Sequence, residues 1–268
     1  MFSVGRVQVR CHAVSTLIAA HAQQQYALPA PLKQLACTSE VLLLGLSSQP
    51  PRLVRIDLAR PDEDEPIDLP FPAVPPNQRA SQSIHRIFAD PTGRHALVST
   101  SANELLYFYA GFPREQQTGR KRARALGKLK GALVESVAWN AKGFKAGSTT
   151  REILVGTSDG RILETWVDGE LESSSRPFGR TAHDRYVKPV LQLPDKQAVQ
   201  GLRFEVWSTR SGQKKRAVIF ATTSTKIYQY VGMLNSSNEG EGMFEPFGAI
   251  FKDAMPSASV CHLYVVRP

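Results

Sequence analysis

Glu152-Ile-Leu-Val-Gly-Thr-Ser-Asp-Gly-Arg-Ile-Leu-Glu-Thr-Trp-Val167 is the stretch of sequence that decides the fold. The dipeptide Asp159-Gly160 favours a tight hairpin turn, because such a turn needs positive φ and glycine adopts it without strain. The run before the turn is apolar at consecutive positions, which is typical of a strand buried on both faces. The run after the turn alternates more between apolar and polar residues. The stretch therefore predicts a β-hairpin.

The same pattern of an apolar run, a Gly/Ser/Thr-rich step, a turn and a second strand-like run occurs four times along the chain. The four copies span residues 41–58, 95–109, 152–167 and 217–231. Val98, Val155 and Phe220 occupy equivalent positions, at steps of 57 and 65 residues. A further strand is predicted before three of the hairpins (84–90, 135–140 and 199–204) and another after each (66–71, 126–130, 188–193 and 242–247). Four strands per repeat predict the blades of a β-propeller.

We therefore expect an all-β fold, a β-propeller with four-stranded antiparallel blades, of which about four are present as part of a larger propeller. The predicted blades span approximately residues 1–75, 80–130, 133–194 and 198–250, and the tail 251–268 has no predicted place. Residues 20–35 depart from the pattern and are interpreted as an insertion. An open propeller exposes sheet edges, so the isolated chain is expected to aggregate.

The composition is that of a folded protein and gives no sign of a zinc site or of disulfide bonds. With 268 residues, 42% of them hydrophobic and 21% charged, the chain is long and apolar enough to bury a core and is not disordered. Cys11, Cys37 and Cys261 lie far apart and make neither a zinc spacing nor a disulfide framework. A reduced cytosolic or nuclear compartment is therefore expected.

The sharpest charge feature is the basic segment, residues 114–130, where seven Lys and Arg residues stand against Glu115 alone. The whole chain has a formal net charge of +9, and this segment supplies most of it. The segment is either a solvated loop between blades, or a contact for anionic lipid, nucleic acid or nuclear import. Lipid or an acidic partner is favoured over nucleic acid, because no aromatic residue is interleaved for base stacking. The candidate residues for contact with an anionic surface are Arg120, Lys121, Arg122, Arg124, Lys128 and Lys130.

Catalytic motifs are not found in the sequence. No nucleophile elbow, triad or Cys/His metal spacing occurs, and the acidic run Asp62-Glu-Asp-Glu65 is interpreted as a solvated turn. We therefore predict no catalytic residues, no metal and no cofactor. An enzyme such as a propeller hydrolase is the weakest of three hypotheses. The other two are a non-enzymatic scaffold and a basic propeller that binds nucleic acid.

A collinear set of motifs runs from residue 2 to about residue 250. It includes Phe2-Ser-Val-Gly-Arg-Val-Gln-Val9, Leu53-Val-Arg-Ile-Asp-Leu58, Ile84-His-Arg-Ile-Phe-Ala-Asp-Pro-Thr-Gly93, Glu135-Ser-Val-Ala-Trp-Asn140, Gly201-Leu-Arg-Phe204 and the stretches 150–165 and 221–230. At these residues the chain resembles the amino-terminal propeller of the deep orange family, vacuolar protein sorting-associated subunit eighteen. Each motif alone is weak, but their order and number make the resemblance specific.

The resemblance implies a cytoplasmic scaffold subunit of the class C tethering complexes HOPS and CORVET, peripheral on late endosome and vacuole or lysosome membranes. Family members of this kind tether vesicles and support SNARE-driven fusion and protein transport to the vacuole. The implied partners are other class C subunits, SNAREs and Rab-linked subunits, with nucleic acid unfavoured. The resemblance also implies a helical solenoid and a RING zinc finger, for which this sequence has no pattern, so the chain is expected to be a fragment or an early-ending form.

Overall fold

The computed structural model describes residues 6–10, 23–48, 50–69, 82–109, 121–140, 149–169, 184–207, 216–234, 242–244 and 257–258. Within these ranges the strands form four main sheets and one small antiparallel pair, β1 (Arg6–Arg10) with β2 (Gln23–Ala27). The predicted all-β architecture is confirmed. None of the helices in the described ranges is long and apolar enough to cross a bilayer.

The first two sheets follow one another along the chain. Sheet one contains β3 (Leu32–Cys37), β4 (Val41–Leu46), β5 (Arg52–Asp57) and β6 (Arg60–Asp68) in antiparallel order. Sheet two contains β7 (Ile84–Ala89), β8 (His95–Thr100) and β9 (Leu105–Tyr109). Two short strands complete the outer edges, β10 (Lys121–Arg122) beside β6 and β11 (Arg124–Ala125) beside β9.

The last two sheets repeat the same order. Sheet three contains β12 (Val134–Ala138), β13 (Thr149–Thr157), β14 (Arg161–Asp168) and β15 (Asp184–Gln192). Sheet four contains β16 (Gly201–Trp207), β17 (Arg216–Thr222), β18 (Lys226–Met233) and β19 (Ser257–Ala258). The first strands of successive sheets contact one another. The four hairpins quoted from the sequence are β4–β5, β8–β9, β13–β14 and β17–β18.

The core lies between the sheets, in layers that follow from the apolar second strand of each repeat. Leu97 and Val98 are adjacent on β8 and both are fully buried, but Val98 packs toward sheet one and Leu97 toward sheet three. On β13, Val155 likewise packs toward sheet two and Leu154 toward sheet four. Consecutive apolar residues therefore fill two different layers, as the sequence predicted for strands buried on both faces.

Threonine hydroxyls close the hairpin turns. Thr157 Oγ1 accepts a hydrogen bond from the backbone N–H of Arg161 and donates to its carbonyl, both at 3.0 Å. Thr100 makes the same pair of bonds with Glu104 at 3.3 Å. These bonds tie the two ends of each turn together through a side chain as well as through the backbone.

Four local predictions are wrong. The acidic run 62–65 is not a turn, because it lies within β6 and pairs with β5. Residues 20–35 are not simply an insertion, because residues 32–35 belong to β3 in the first sheet. Residues 126–130 contain a 3-10 helix at Gly127–Leu129 instead of a strand. In the predicted strand 242–247, the described residue Phe244 makes only an isolated bridge to Leu234, and the fourth strand of sheet four is β19, in the tail.

Candidate functional site

The basic segment 114–130 is divided between two sheets. Arg120 lies outside the described residues. Lys121 and Arg122 extend the outer edge of sheet one as β10, and Arg124 begins β11 at the outer edge of sheet two. The interpretation of the whole segment as a solvated loop is therefore wrong for its described part, which is held in regular structure.

Buried side chains fix the basic segment to the protein at every third position. Ala123, Leu126 and Leu129 are each buried, and the backbone N–H of Leu126 donates to the carbonyl of Leu105 at 2.8 Å. The 3-10 helix Gly127–Leu129 accounts for the step from Leu126 to Leu129, because such a helix repeats every three residues. The positions between the buried residues consequently face outward.

Those outward positions carry the cations. Arg124, Lys128 and Lys130 are exposed, and Arg124 and Lys128 also interact with other groups of the protein. The structure thus brings three of the six candidate residues together on one anchored backbone. For Lys121 and Arg122 it places only the backbone. A set of exposed cations on an ordered backbone attracts anionic surfaces without the cost of ordering a loop.

Lys128 and Lys130 belong to one side of the molecule, which we call the linker face. It is formed by the turns between the second and third strands and by the linkers between successive sheets. Its described residues are 28–31, 47–48, 50–51, 69, 82–83, 101–104, 126–133, 158–160, 193–200 and 223–225, with the strand residues that adjoin them. Because the strands of each sheet are antiparallel, all other described turns lie on the opposite face.

Backbone hydrogen bonds join the linkers and turns of this face into a continuous belt. Gly131 N donates to Asn103 O at 2.8 Å, and Ser158 N donates to Leu133 O at 2.9 Å. The belt continues from sheet three to the next linker, where Leu193 N donates to the carbonyl of Gly160 at 2.9 Å. The linkers are therefore fixed relative to the sheets that they connect.

Lys196 is a further cation on this belt. It is exposed and has a φ of 52°, an uncommon value for a residue with a side chain. Its backbone lies against Gly160, whose φ is 81°. The neighbouring Asp195 accepts a hydrogen bond from Tyr228 Oη at 2.7 Å and lies 3.7 Å from Lys226 Nζ. The strained linker is thus tied to both neighbouring hairpins.

The electrostatics of Asp195 agree with that role. Burial alone would raise the pKa of Asp195, but hydrogen bonds from Tyr228 and from the backbone of Gln197, together with the charge of Lys226, lower it below the usual value of 3.8. Burial and the Asp195 carboxylate raise the pKa of Tyr228. The carboxylate is therefore a structural acceptor that holds the linker.

A second charged cluster lies buried between sheet three and the segment 242–244. Glu164 is fully buried, and its carboxylate accepts hydrogen bonds from the backbone N–H groups of Met243 and Phe244 and from Tyr186 Oη. Lys188 Nζ donates to the Phe244 carbonyl. Burial raises the pKa of Glu164 above the usual 4.5, against the opposing effect of these hydrogen bonds and of Lys188. The cluster fastens a segment of the fourth repeat to the third sheet.

A third cluster joins the first strands of sheets two and three. Glu135 accepts hydrogen bonds from His85 Nε2 at 3.0 Å and from Arg86 Nε at 2.8 Å. Glu135 is largely buried, whereas the side chains of His85 and Arg86 remain 33% and 40% exposed. Since both carboxylate oxygens of Glu135 are engaged by residues of sheet two, this cluster links the first strands of the two sheets.

Sequence reasoning missed Lys196, Glu164 and Lys188. The turn signal Pro194-Asp195 between two predicted strands could have placed Lys196 at the surface. Glu164 stands within an otherwise apolar run, which indicates a buried carboxylate with a partner. In the part of the chain that the structure describes, no three His, Cys, Asp or Glu residues cluster to hold a metal ion. Cys37 is exposed, and Cys11 and Cys261 lie outside that part.

Comparison with known proteins shows which family the repeated sheets belong to. A family model described as the Pep3/Vps18/deep orange β-propeller domain matches residues 17–265. The vacuolar protein sorting-associated protein 18 homolog of Danio rerio is 30% identical over 233 residues, which cover 85% of this chain and 21% of that protein. The vacuolar sorting protein 18 of Arabidopsis thaliana is 30% identical over 203 residues, covering 74% of this chain and 18% of that protein. The chain thus spans about a fifth of the length of these relatives.

A solved structure also superposes on the chain. It is the β-propeller domain of Cps50 (Swd1) from Myceliophteria thermophila, with a TM-score of 0.42 and 17% sequence identity, covering 82% of this chain and 60% of that one. The fold assignment rests on the four repeated sheets and on the family match, and this superposition adds nothing to it.

Proposed function

The chain belongs to the Pep3/Vps18/deep orange β-propeller family, and from that premise we propose that it is a non-enzymatic scaffold subunit of a membrane-tethering complex of the endosome and vacuole or lysosome. The complex would be of the class C type, HOPS or CORVET. In it the chain supports vesicle docking, membrane fusion and protein transport to the vacuole. The single observation that carries this proposal is the family match, which extends over residues 17–265.

The described structure supports a scaffold for a physical reason. Its sheets are joined by apolar layers and by polar contacts between repeats, such as those of Glu135 and Glu164, so the described turns are held on a fixed framework. Rigid presentation of loops is what a binding platform needs. The buried carboxylates Glu135 and Glu164 each accept hydrogen bonds from a neighbouring repeat, which holds the repeats together. No cofactor enters the proposal.

The partners that we propose are the other class C subunits, with SNAREs and Rab-linked subunits as further candidates. The proposed location is cytoplasmic and peripheral, on the late endosome and the vacuole or lysosome. The names of the relatives support the vacuole, since they are called vacuolar sorting proteins.

A pull-down from nuclease-treated lysate of the source cells tests the proposal. The chain serves as bait, beside a variant in which Arg120, Lys121, Arg122, Arg124, Lys128 and Lys130 are changed to Gln, and mass spectrometry identifies the captured proteins. We expect both baits to recover tethering subunits. A bait with Leu97→Asp, which breaks the core, controls for non-specific capture and should recover none. Absence of tethering subunits from the wild-type capture would overturn the proposal.

A second candidate function is favoured by the exposed cations of the anchored basic segment, Arg124, Lys128 and Lys130. They could hold an anionic surface, either lipid or nucleic acid. The same pull-down, repeated from lysate without nuclease, separates the nucleic-acid alternative. In that case the captured proteins would be nucleic-acid-binding proteins, and they would disappear after nuclease treatment or after neutralisation of the segment.

A further inference from the structure

Among the side chains that the structure describes, the two faces of the molecule differ in charge. Among the described side chains in the turns, linkers and adjoining strand ends, the linker face carries six cations and three anions. The cations are Arg52, Lys128, Lys130, Arg161, Lys196 and Lys226, and the anions are Glu104, Asp159 and Asp195. By the same definition the opposite face carries three cations and four anions. These are Arg60, Arg94 and Arg216 against Glu40, Asp57, Asp90 and Asp168.

Two of the three linker-face anions are already neutralised by neighbours. The Asp159 carboxylate accepts from Arg161 Nε at 2.8 Å, and the Asp195 carboxylate lies 3.7 Å from Lys226 Nζ. Lys128, Lys130 and Lys196 are exposed cations of this face, and Lys128 also interacts with another group of the protein. They lie on two successive linkers, so the positive charge extends over neighbouring repeats and is not confined to the basic segment.

We infer that the linker face is the side on which this chain lies against an anionic lipid bilayer, with Lys128, Lys130 and Lys196 among the headgroup contacts. The inference rests on the proposed function for its membrane. It goes further by naming the face, the lipid class and a contact residue in the linker between the third and fourth repeats.

The composition of the linker face favours a bilayer over a protein partner. Protein interfaces are centred on buried apolar and aromatic anchors. In the described chain the large exposed apolar residues are Leu35 and Val231, and both lie within strands, away from these turns. The turns themselves present small polar residues such as Asn103 and Ser224 beside the lysines. Lysine is a compact point charge that meets headgroups without requiring a matched geometry.

The opposite face supplies a matched control. Changing Arg60, Arg94 and Arg216 to Gln removes the same number of charges as changing Lys128, Lys130 and Lys196 to Gln. All six side chains are exposed, so neither triple variant removes core packing. Gln and Lys share an unbranched Cβ, and the positive φ at residue 196 is therefore no more strained in the variant.

The experiment is co-flotation of the 268-residue chain on a density gradient with vesicles of two parts phosphatidylcholine to one part phosphatidylserine, and with phosphatidylcholine alone. Only vesicle-bound protein floats, so aggregated chain is not counted as bound. We expect binding to the anionic vesicles that weakens with salt. Each linker-face charge removed should weaken it about fivefold, so the linker-face triple variant should lose on the order of a hundredfold. The opposite-face triple variant should stay within about threefold of the wild type.

Equal losses in the two triple variants, no loss in either, or equal binding to neutral vesicles would each overturn the inference. So would linker-face-dependent binding to duplex DNA without binding to vesicles. A shared thermal midpoint verifies that both variants are folded. The pull-down described above, repeated with the linker-face variant, separates the two proposals. Capture of tethering subunits together with failed vesicle binding would reject the membrane face and keep the proposed function.

Discussion

Gly160 and Lys196 pack backbone against backbone, since a Cβ added to Gly160 would lie 2.8 Å from the Cα of Lys196 and 3.0 Å from the carbonyl oxygen of Gln197. This contact joins the hairpin turn of the third repeat to the linker that leads into the fourth. Glycine is required at this position for two reasons: the backbone has a φ of 81°, and the close contact leaves no room for a side chain.

Gly160→Ala should therefore destabilise the chain. Both the positive φ and the overlap with backbone atoms act against the added methyl group, and we expect a loss of about 2–5 kcal/mol in the free energy of unfolding. Gly127→Ala is the control, because a Cβ there meets nothing within 4 Å, and its effect should be below about 1 kcal/mol. Urea denaturation of both variants measures the difference, and equal midpoints would contradict the packing described here.

Leu129→Ala should release the anchored part of the basic segment. Leu129 is 1% exposed and packs in the layer between sheets two and three, so truncation should cost about 2–5 kcal/mol. Lys128→Ala, at the exposed neighbouring position, should cost less than about 0.5 kcal/mol. Thermal denaturation of the Leu129→Ala and Lys128→Ala variants measures this difference in stability. If the two variants unfolded at the same temperature, the segment would not be held by its apolar side chains.

Glu164 should make stability depend on pH. Burial raises its pKa above 4.5 in the folded chain, so the folded state holds the proton more strongly than the unfolded state. Its contribution to the free energy of unfolding must therefore fall as the pH rises from 4.5 toward the folded pKa. Glu164→Gln does not titrate, and the wild type should lose stability relative to this variant over that window. Denaturation of both proteins at a series of pH values measures this, and a constant difference would contradict it.

Tyr228→Phe should act on Asp195 with the opposite sign of pH dependence. The hydrogen bond from Tyr228 helps to hold the pKa of Asp195 below 3.8, so the stability it provides is present above that value and is lost as the pH falls through the folded pKa. The variant should lose about 1–2 kcal/mol at neutral pH, and the pKa of Asp195 should rise.

Tyr230→Phe is the matched control for that change. The Tyr230 ring stacks on Tyr228 with centroids 6.1 Å apart, and Asp195 accepts its hydrogen bond from Tyr228. Burial and the Asp195 carboxylate raise the pKa of Tyr230 to about 12. NMR titration of the Asp195 carboxyl should show a larger rise in pKa for Tyr228→Phe. The same rise in both variants would argue against the specific hydrogen bond.

The sequence predicts those parts of the fold whose signal is local. The consecutive apolar residues Val41 to Leu46 and the turn Asp159-Gly160 identify buried strands and a hairpin without reference to the rest of the chain, and the structure confirms both. β3 does not have a run of consecutive apolar residues, because it is not a buried strand: its residues alternate between half-buried and exposed. β11 and β19 are two residues long, which is too short for any periodic pattern.

The candidate site follows the same rule. The sequence correctly indicates that Arg124, Lys128 and Lys130 are surface cations, since charge at high density is solvated. It cannot place Lys121 and Arg122 in sheet one, because the strand that they join lies far earlier in the chain and only the folded arrangement brings the two together. The sequence likewise does not predict that Lys196 belongs with these cations, because only the folded structure places the linkers on one face.

The parallel pairing of β10 with β6 also bears on synthesis. A ribosome makes the chain from its amino end, so the first sheet emerges before the strand that covers its outer edge, and the whole β8–β9 hairpin is made in the interval. An uncovered strand edge recruits other strands. The nascent chain is therefore open to mispairing, or to capture by a chaperone, until residues 121–122 have left the exit tunnel. A slow codon that is translated before residues 121–122 leave the tunnel lengthens the time during which the edge of β6 is uncovered. A slow codon translated after they have left does not.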